Sequence, residues 1–195
     1  MKLSKCNRCG LYKNRSNVVK GRGSLHSDIM FIGEAPGKEE DRDGKPFVGR
    51  AGKIFSNILD ILGRNRKQIF LTNTVKCRPC DTLASPNRKP KNIEIFNCVK
   101  WLIQEINIVN PKIIVTMGDI AMSSVTGLSG ISDKAGRTFS GNNFLNDYEN
   151  EKLLHKDFYV FVLYHPAFLI YKPNFEEEYI GHVKKLKKLF AEMAV

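Results

Sequence analysis

No stretch of this 195-residue chain approaches the roughly 20 consecutive apolar residues that cross a bilayer. The opening MKLSKCNRCG has no apolar core of the kind an export signal needs, so the sequence predicts an intracellular, cytoplasmic protein. Cysteine is scarce and odd in number: five thiols exclude a fully paired disulfide framework and point to metal ligands or free thiols. Acidic residues are outnumbered, 20 against 31 Lys and Arg, leaving a net charge of +11. That excess favours an anionic partner, nucleic acid first. A chain rich in Lys, Asn and Ile also reflects genome composition, so charge alone does not establish the partner. With 42% hydrophobic and 26% charged residues the chain is not disordered, and its length suits one domain, residues 1–195.

The stretch from Asp28 to Phe47, DIMFIGEAPGKEEDRDGKPF, organises the rest. The run Ile29-Met30-Phe31-Ile32 breaks into Gly33-Glu34-Ala35-Pro36-Gly37, the pattern of a buried strand with a turn at its carboxyl end. In open parallel sheets ligands bind at that edge. Glu34, Glu39, Glu40 and Asp41 sit beside the turn; on charge alone a solvated acidic loop explains them equally well. Phe47 precedes a helix whose apolar face is Ile54, Phe55, Ile58, Leu59 and Leu62, ended by Gly63. It reads as a plug on the core or as a stacking platform for a planar ligand, the plug favoured when the residue is taken alone.

Further strands are expected at 69–75, 112–117 and 158–163, with helices at about 92–108 and 120–125 and a final amphipathic helix from about Phe175. Gly136 to Phe144 reads as a hairpin at the sheet edge. Lys184, Lys185, Lys187 and Lys188 lie mostly on the outer face of the last helix, where a solvated surface is the ordinary reading. Helices alternating with four strands predict a parallel sheet covered on both faces. Glu34, Asn73, Gly118 and His165 then all fall at carboxyl ends of strands, on one edge. Gly118 ahead of a helix suits close approach of a phosphate. Cys6-x-x-Cys9 lets two thiolates reach one metal centre from a tight turn. Cys77 and Cys98 complete a set of four, with Cys80 able to replace Cys77; zinc and an iron–sulfur cluster both accept four thiolates.

The combination of GEAPGKEED, GKPFVGRAG, NTVKCRP followed by Asn87-Arg88-Lys89-Pro90, and YHPA resembles the family 4 uracil-DNA glycosylases over nearly the whole chain. The resemblance implies a three-layer α/β/α sandwich on a four-stranded parallel sheet, with a 4Fe–4S cluster on Cys6, Cys9, Cys77 and Cys98. It implies base-excision repair: a monomer, nucleoid-associated, that flips uracil from single- or double-stranded DNA and hydrolyses its N-glycosidic bond. By the same resemblance Phe47 stacks on the flipped ring, Asn73 reads uracil O4 and N3–H, and His165 donates to O2. Ala35 lines the base site, Glu34 orients water or stabilises the sugar cation, and Glu40 supports the pocket, with His165 as its expected partner. Gly118 meets phosphate, and Leu169 fills the gap left by the base. Ala35 after Glu34, and no His between Leu128 and Arg137, depart from relatives that trap uracil-DNA covalently, so ordinary turnover is expected. A non-catalytic uracil-DNA-binding protein on the same scaffold is the rival; a zinc-dependent nuclease is weaker, because the carboxylates have no evident His partners.

Overall fold

The structure, a computed structural model, describes residues 2–141, 152–154 and 157–195. In chain order its elements are β1 (Arg22–Gly23), β2 (Ile29–Gly33), α1 (Lys38–Asp43), α2 (Arg50–Leu62), β3 (Phe70–Asn73) and α3 (Asn92–Val109). There follow β4 (Ile113–Met117), α4 (Asp119–Thr126), β5 (Thr138–Ser140), β6 (Tyr159–Leu163), α5 (Phe168–Tyr171) and α6 (Glu176–Glu192).

The sheet order is β1-β3-β2-β4-β6-β5. β3, β2, β4 and β6 run parallel to their neighbours within this set, while β1 and β5 add antiparallel edges. The sheet is therefore mixed and six-stranded, not the four-stranded parallel sheet expected from sequence. β1 escaped because its two residues are too few to show a period, whereas β5 falls within the expected edge hairpin. The strand expected at 69–75 is shorter, Phe70–Asn73. Of the expected edge hairpin, Thr138–Ser140 pairs with β6, and residues 142–144 lie outside the described residues.

Both faces of the sheet are covered, so every residue of β2 and β4 is buried. Alternate residues face opposite ways. Ile29, Phe31, Ile113 and Val115 join Phe55, Ile58 and Leu59 of α2 and Val183, Leu186 and Phe190 of α6 in one core. Met30, Ile32 and Ile114 join Leu102, Ile103 and Ile106 of α3 and Val125 of α4 in the other. α2 stops where Gly63 turns left-handed at φ 69° and donates to the carbonyls of Leu59 and Asp60.

The acidic stretch after Gly37 is not an open loop. It forms α1, with Glu39, Glu40 and Asp41 in its first turn, where negative side chains meet the positive end of the helix dipole. Asp41 is buried and accepts hydrogen bonds from the backbone N–H groups of Ser16 and Asn17, fastening the N-terminal segment to α1. The segment after His165 turns into the short α5.

Phe55 is fully buried and meets Phe31 edge-on, with ring centroids 5.1 Å apart. Phe55→Ala is expected to cost about 3–5 kcal/mol of unfolding free energy, seen as a lowered denaturant midpoint at unchanged slope.

Candidate base pocket and cysteine site

The parallel register brings the expected residues to one edge. Gly33 lies opposite Asn73 across β2 and β3, and Glu34 and Ala35 continue directly from Gly33. The backbone beyond stays paired, with Val75 N–H donating to Glu34 O and Thr74 N–H to Gly33 O. A side chain at Gly33 would overlap both the Asn73 amide oxygen and the Phe47 ring, so those two groups flank the space above this glycine. Asn73 is 2% exposed and its Oδ1 has no hydrogen-bond partner among the described residues. A buried, unpartnered amide oxygen costs folding energy unless a ligand supplies the missing donor.

Phe47 is both plug and wall. It is 4% exposed and packs on the α2/α6 core, and its ring also stacks beside His165 with centroids 5.6 Å apart. Its backbone sits at φ 54°, an unfavourable region for a residue with a side chain. Arg66 holds it there: one guanidinium nitrogen donates to Phe47 O at 2.9 Å, Gly52 O at 2.9 Å and Ser56 Oγ at 3.2 Å. Nothing in the sequence links Arg66 to a loop 19 residues earlier.

Glu40 does not hydrogen-bond His165. Its carboxylate takes backbone N–H groups instead: Gly37 at 3.0 Å through one oxygen, Val48 at 2.9 Å and Gly49 at 2.8 Å through the other. It thereby ties the turn after β2 to the segment carrying Phe47. Its charge reaches His165 only through space.

His165 Nδ1 accepts the Ala167 N–H at 3.1 Å, so a neutral ring carries its hydrogen on Nε2 as a free donor. Burial lowers its pKa from 6.5 to about 4, a little offset by Glu40. Tyr179, from α6, supports the preceding residue by donating to Tyr164 O at 3.0 Å. Gly118 closes against His165 from β4; it adopts φ 97°, caps α4, and a Cβ there would stand 3.3 Å from that of His165. Glu34 is partly buried, which raises its pKa; the charge of Lys89 opposes the shift and that of Asp119 adds to it. Lys89 arrives on the long loop after Cys77, in the Asn87-Arg88-Lys89-Pro90 segment.

Leu169 is partly buried on the α2/α6 core, whereas Tyr171, on the same short helix, is 79% exposed. Lys184, Lys185, Lys187 and Lys188 are exposed, except that Lys188 approaches Glu192 at 3.7 Å. A separate recess behind Phe47 is lined by Arg22, Lys45, Lys53 and Arg66.

Cys6, Cys9, Cys77 and Cys98 line one recess with Arg15 and Val75. Cys80 faces elsewhere, its sulfur 3.7 Å from Asn14 O and 3.8 Å from Arg78 O. Arg15 donates to the Cys77 sulfur at 3.2 Å and Lys76 N–H to the Cys98 sulfur at 3.2 Å, an environment that favours thiolates. Burial outweighs those two hydrogen bonds and raises the pKa of Cys9, Cys77 and Cys98, the last to about 12. Among the described residues no three His, Cys, Asp or Glu side chains are drawn together as a single metal ion requires. Four thiols lining one recess are the donor type that a thiolate-ligated group takes.

The sequence has relatives. The chain matches the Uracil DNA glycosylase superfamily over residues 20–187 and belongs to it. It is 38% identical over 185 residues to a type-4 uracil-DNA glycosylase of Sulfurisphaera tokodaii, covering 94% of this chain and 80% of that protein. It is 34% identical over 187 residues to one of Archaeoglobus fulgidus, covering 96% and 89%. With one of Thermotoga maritima it shares 43% identity over 122 residues, covering 63% and 61%. No helix among the described residues is long and apolar enough to cross a membrane.

His165 is expected to stay neutral throughout the physiological range and to protonate only near pH 4. Ring chemical shifts followed by NMR check this; a midpoint at the ordinary value of 6.5 contradicts it.

Proposed function

We propose that this protein is a DNA repair glycosylase that flips uracil out of DNA and hydrolyses its N-glycosidic bond, leaving an abasic site. The observation that carries the reading is the Asn73 amide, buried with its oxygen unpartnered, beside the Phe47 ring. Flipping costs a few kcal/mol of unstacking. Stacking on Phe47 and the hydrogen bonds of Asn73 offset that cost. An amide whose oxygen accepts uracil N3–H and whose NH2 donates to O4 leaves unpaired groups against cytosine, which has the reverse pattern.

Cleavage leaves negative charge on the departing base, mostly over O2 and N1. A neutral His165 offering Nε2–H stabilises that charge without first losing a proton. Glu34 acts on the other side of the bond, as a carboxylate that orients water or stabilises the cationic sugar. Ala35 lines the base site. Gly118 suits a phosphate at the start of α4, and the exposed cations Arg22, Lys45 and Lys53 suit the flanking strand. Leu169 is assigned to the gap left by the base. The enzyme acts as a monomer on single- or double-stranded DNA within the nucleoid.

Cys6, Cys9, Cys77 and Cys98 are assigned to a 4Fe–4S cluster. When bound it supplies a structural cross-link between the N-terminal segment, the end of β3 and α3; hydrolysis requires no redox step.

Incubation with DNA carrying one uracil, followed by alkali, tests the activity. Wild-type protein is expected to yield strand breaks at uracil, and Asn73→Ala and His165→Ala each to slow them about 100-fold or more. Binding of uracil-DNA without breaks supports the non-catalytic rival, and unchanged breaks in both variants removes the assigned roles. Protein prepared without oxygen is expected to be brown with broad visible absorbance, lost in Cys77→Ser and kept in Cys80→Ser. A colourless, zinc-containing preparation overturns the cluster assignment.

A further inference from the structure

The catalytic reading leaves the buried charge of Lys76 unused. Lys76 lies between the cysteine site and the base pocket, 0% exposed, on the chain that continues from β3. An ammonium has three hydrogens to donate. Here each has a partner: Thr72 Oγ1 at 2.7 Å, Asn73 O at 2.6 Å and Glu105 Oε2 at 2.6 Å. Glu105 is shared in turn, taking the Thr72 hydroxyl at 2.7 Å through the same oxygen and the Gly21 N–H at 2.9 Å through the other. Gly21 has to be small, since a side chain there would overlap the Phe70 ring.

The same lysine reaches the cysteines through its backbone, by the N–H donated to the Cys98 sulfur. Cys98 and Glu105 are about two turns apart on α3, hence on one face of it. α3 therefore grips residue 76 twice, by a sulfur at the main chain and a carboxylate at the ammonium, while that ammonium grips Asn73.

A fold needing only a filled core would place an apolar residue here, because a buried ion pair is often no more stable than the hydrophobic residues that replace it. What the pair adds is geometry. Asn73 must present its amide in one orientation to tell uracil from cytosine, yet its side-chain oxygen has no protein partner to fix it. Sheet pairing with Gly33 sets its backbone, and Lys76 adds a second grip at its carbonyl oxygen.

We propose that Lys76, joined to the cysteine site by its backbone N–H, is the positioning residue for the base-reading Asn73. The proposal rests on the glycosylase reading above and adds a specificity-determining residue to it.

Three variants test it: Lys76→Met, Glu105→Gln, and the double Lys76→Met/Glu105→Met, which replaces the pair by apolar side chains and keeps a foldable protein if the first does not. For each, the visible absorbance, the melting temperature, the dissociation constant for free uracil, and the ratio of kcat/KM on uracil over cytosine in single-stranded DNA are measured. Both single variants lose the ion pair, but only Lys76→Met loses the hold on Asn73. The expected result is about a tenfold or greater loss in uracil affinity and in the uracil-to-cytosine ratio for Lys76→Met and the double variant, with absorbance retained. Glu105→Gln is expected to lose at least fivefold less affinity while also melting earlier.

A purely structural lysine gives the other pattern. If affinity and ratio stay at wild-type values in the double variant, or fall equally in Lys76→Met and Glu105→Gln in step with melting temperature, the proposal is overturned. Wild-type protein that neither binds nor releases uracil defeats the glycosylase reading itself, a result separate from either.

Discussion

The site depends on register. β2 pairs in parallel with β3 and β4, and β4 with β6, so the strands deliver their next residues to a common line. Gly33 opposite Asn73 is the critical pair. A one-residue slip of β3 would turn the Asn73 side chain to the other face of the sheet and remove the amide from the pocket. The register is held because both faces of each central strand are buried: a slip would also exchange Phe31 and Ile32, or Leu71 and Phe70, between two differently shaped cores. The packing that stabilises the sheet is thus the packing that aims the chemistry.

Rigid strands place the ends of the site, but the walls come from irregular chain, which needs its own fastenings. Glu40 joins two segments through three backbone N–H groups, and Arg66 joins the Phe47 carbonyl to the first turn of α2. Both are charged groups bonded to the main chain, so neither depends on another side chain's rotamer. Such bonds are stronger than neutral ones. They hold Phe47 at a backbone angle that it would otherwise avoid.

The core strands and their edge residues were legible because apolar runs bounded by Gly or Pro need no tertiary information. Glu34, Asn73 and His165 each stood out at the end of such a run. α1 was not legible: KEEDRD has no apolar period, and its stability comes from capping and from Asp41 holding the N-terminal chain. The choice between Cys77 and Cys80 was open in sequence, since both suit the spacing; only the path of the chain turns one sulfur toward Cys6 and the other toward Asn14. Lys76 and Glu105 were invisible for a plainer reason. They lie 29 residues apart in different elements, and a lysine beside a cysteine in a basic protein looks like a surface residue.

The unpartnered oxygen of Asn73 has a thermodynamic meaning beyond recognition. Folding removes that oxygen from water and, among the described residues, gives it no donor in return. On the proposed reading a guest base supplies that donor, so part of the attraction for the base is a debt incurred when the chain folded, which makes the pocket a spring already set rather than a cavity waiting to be filled.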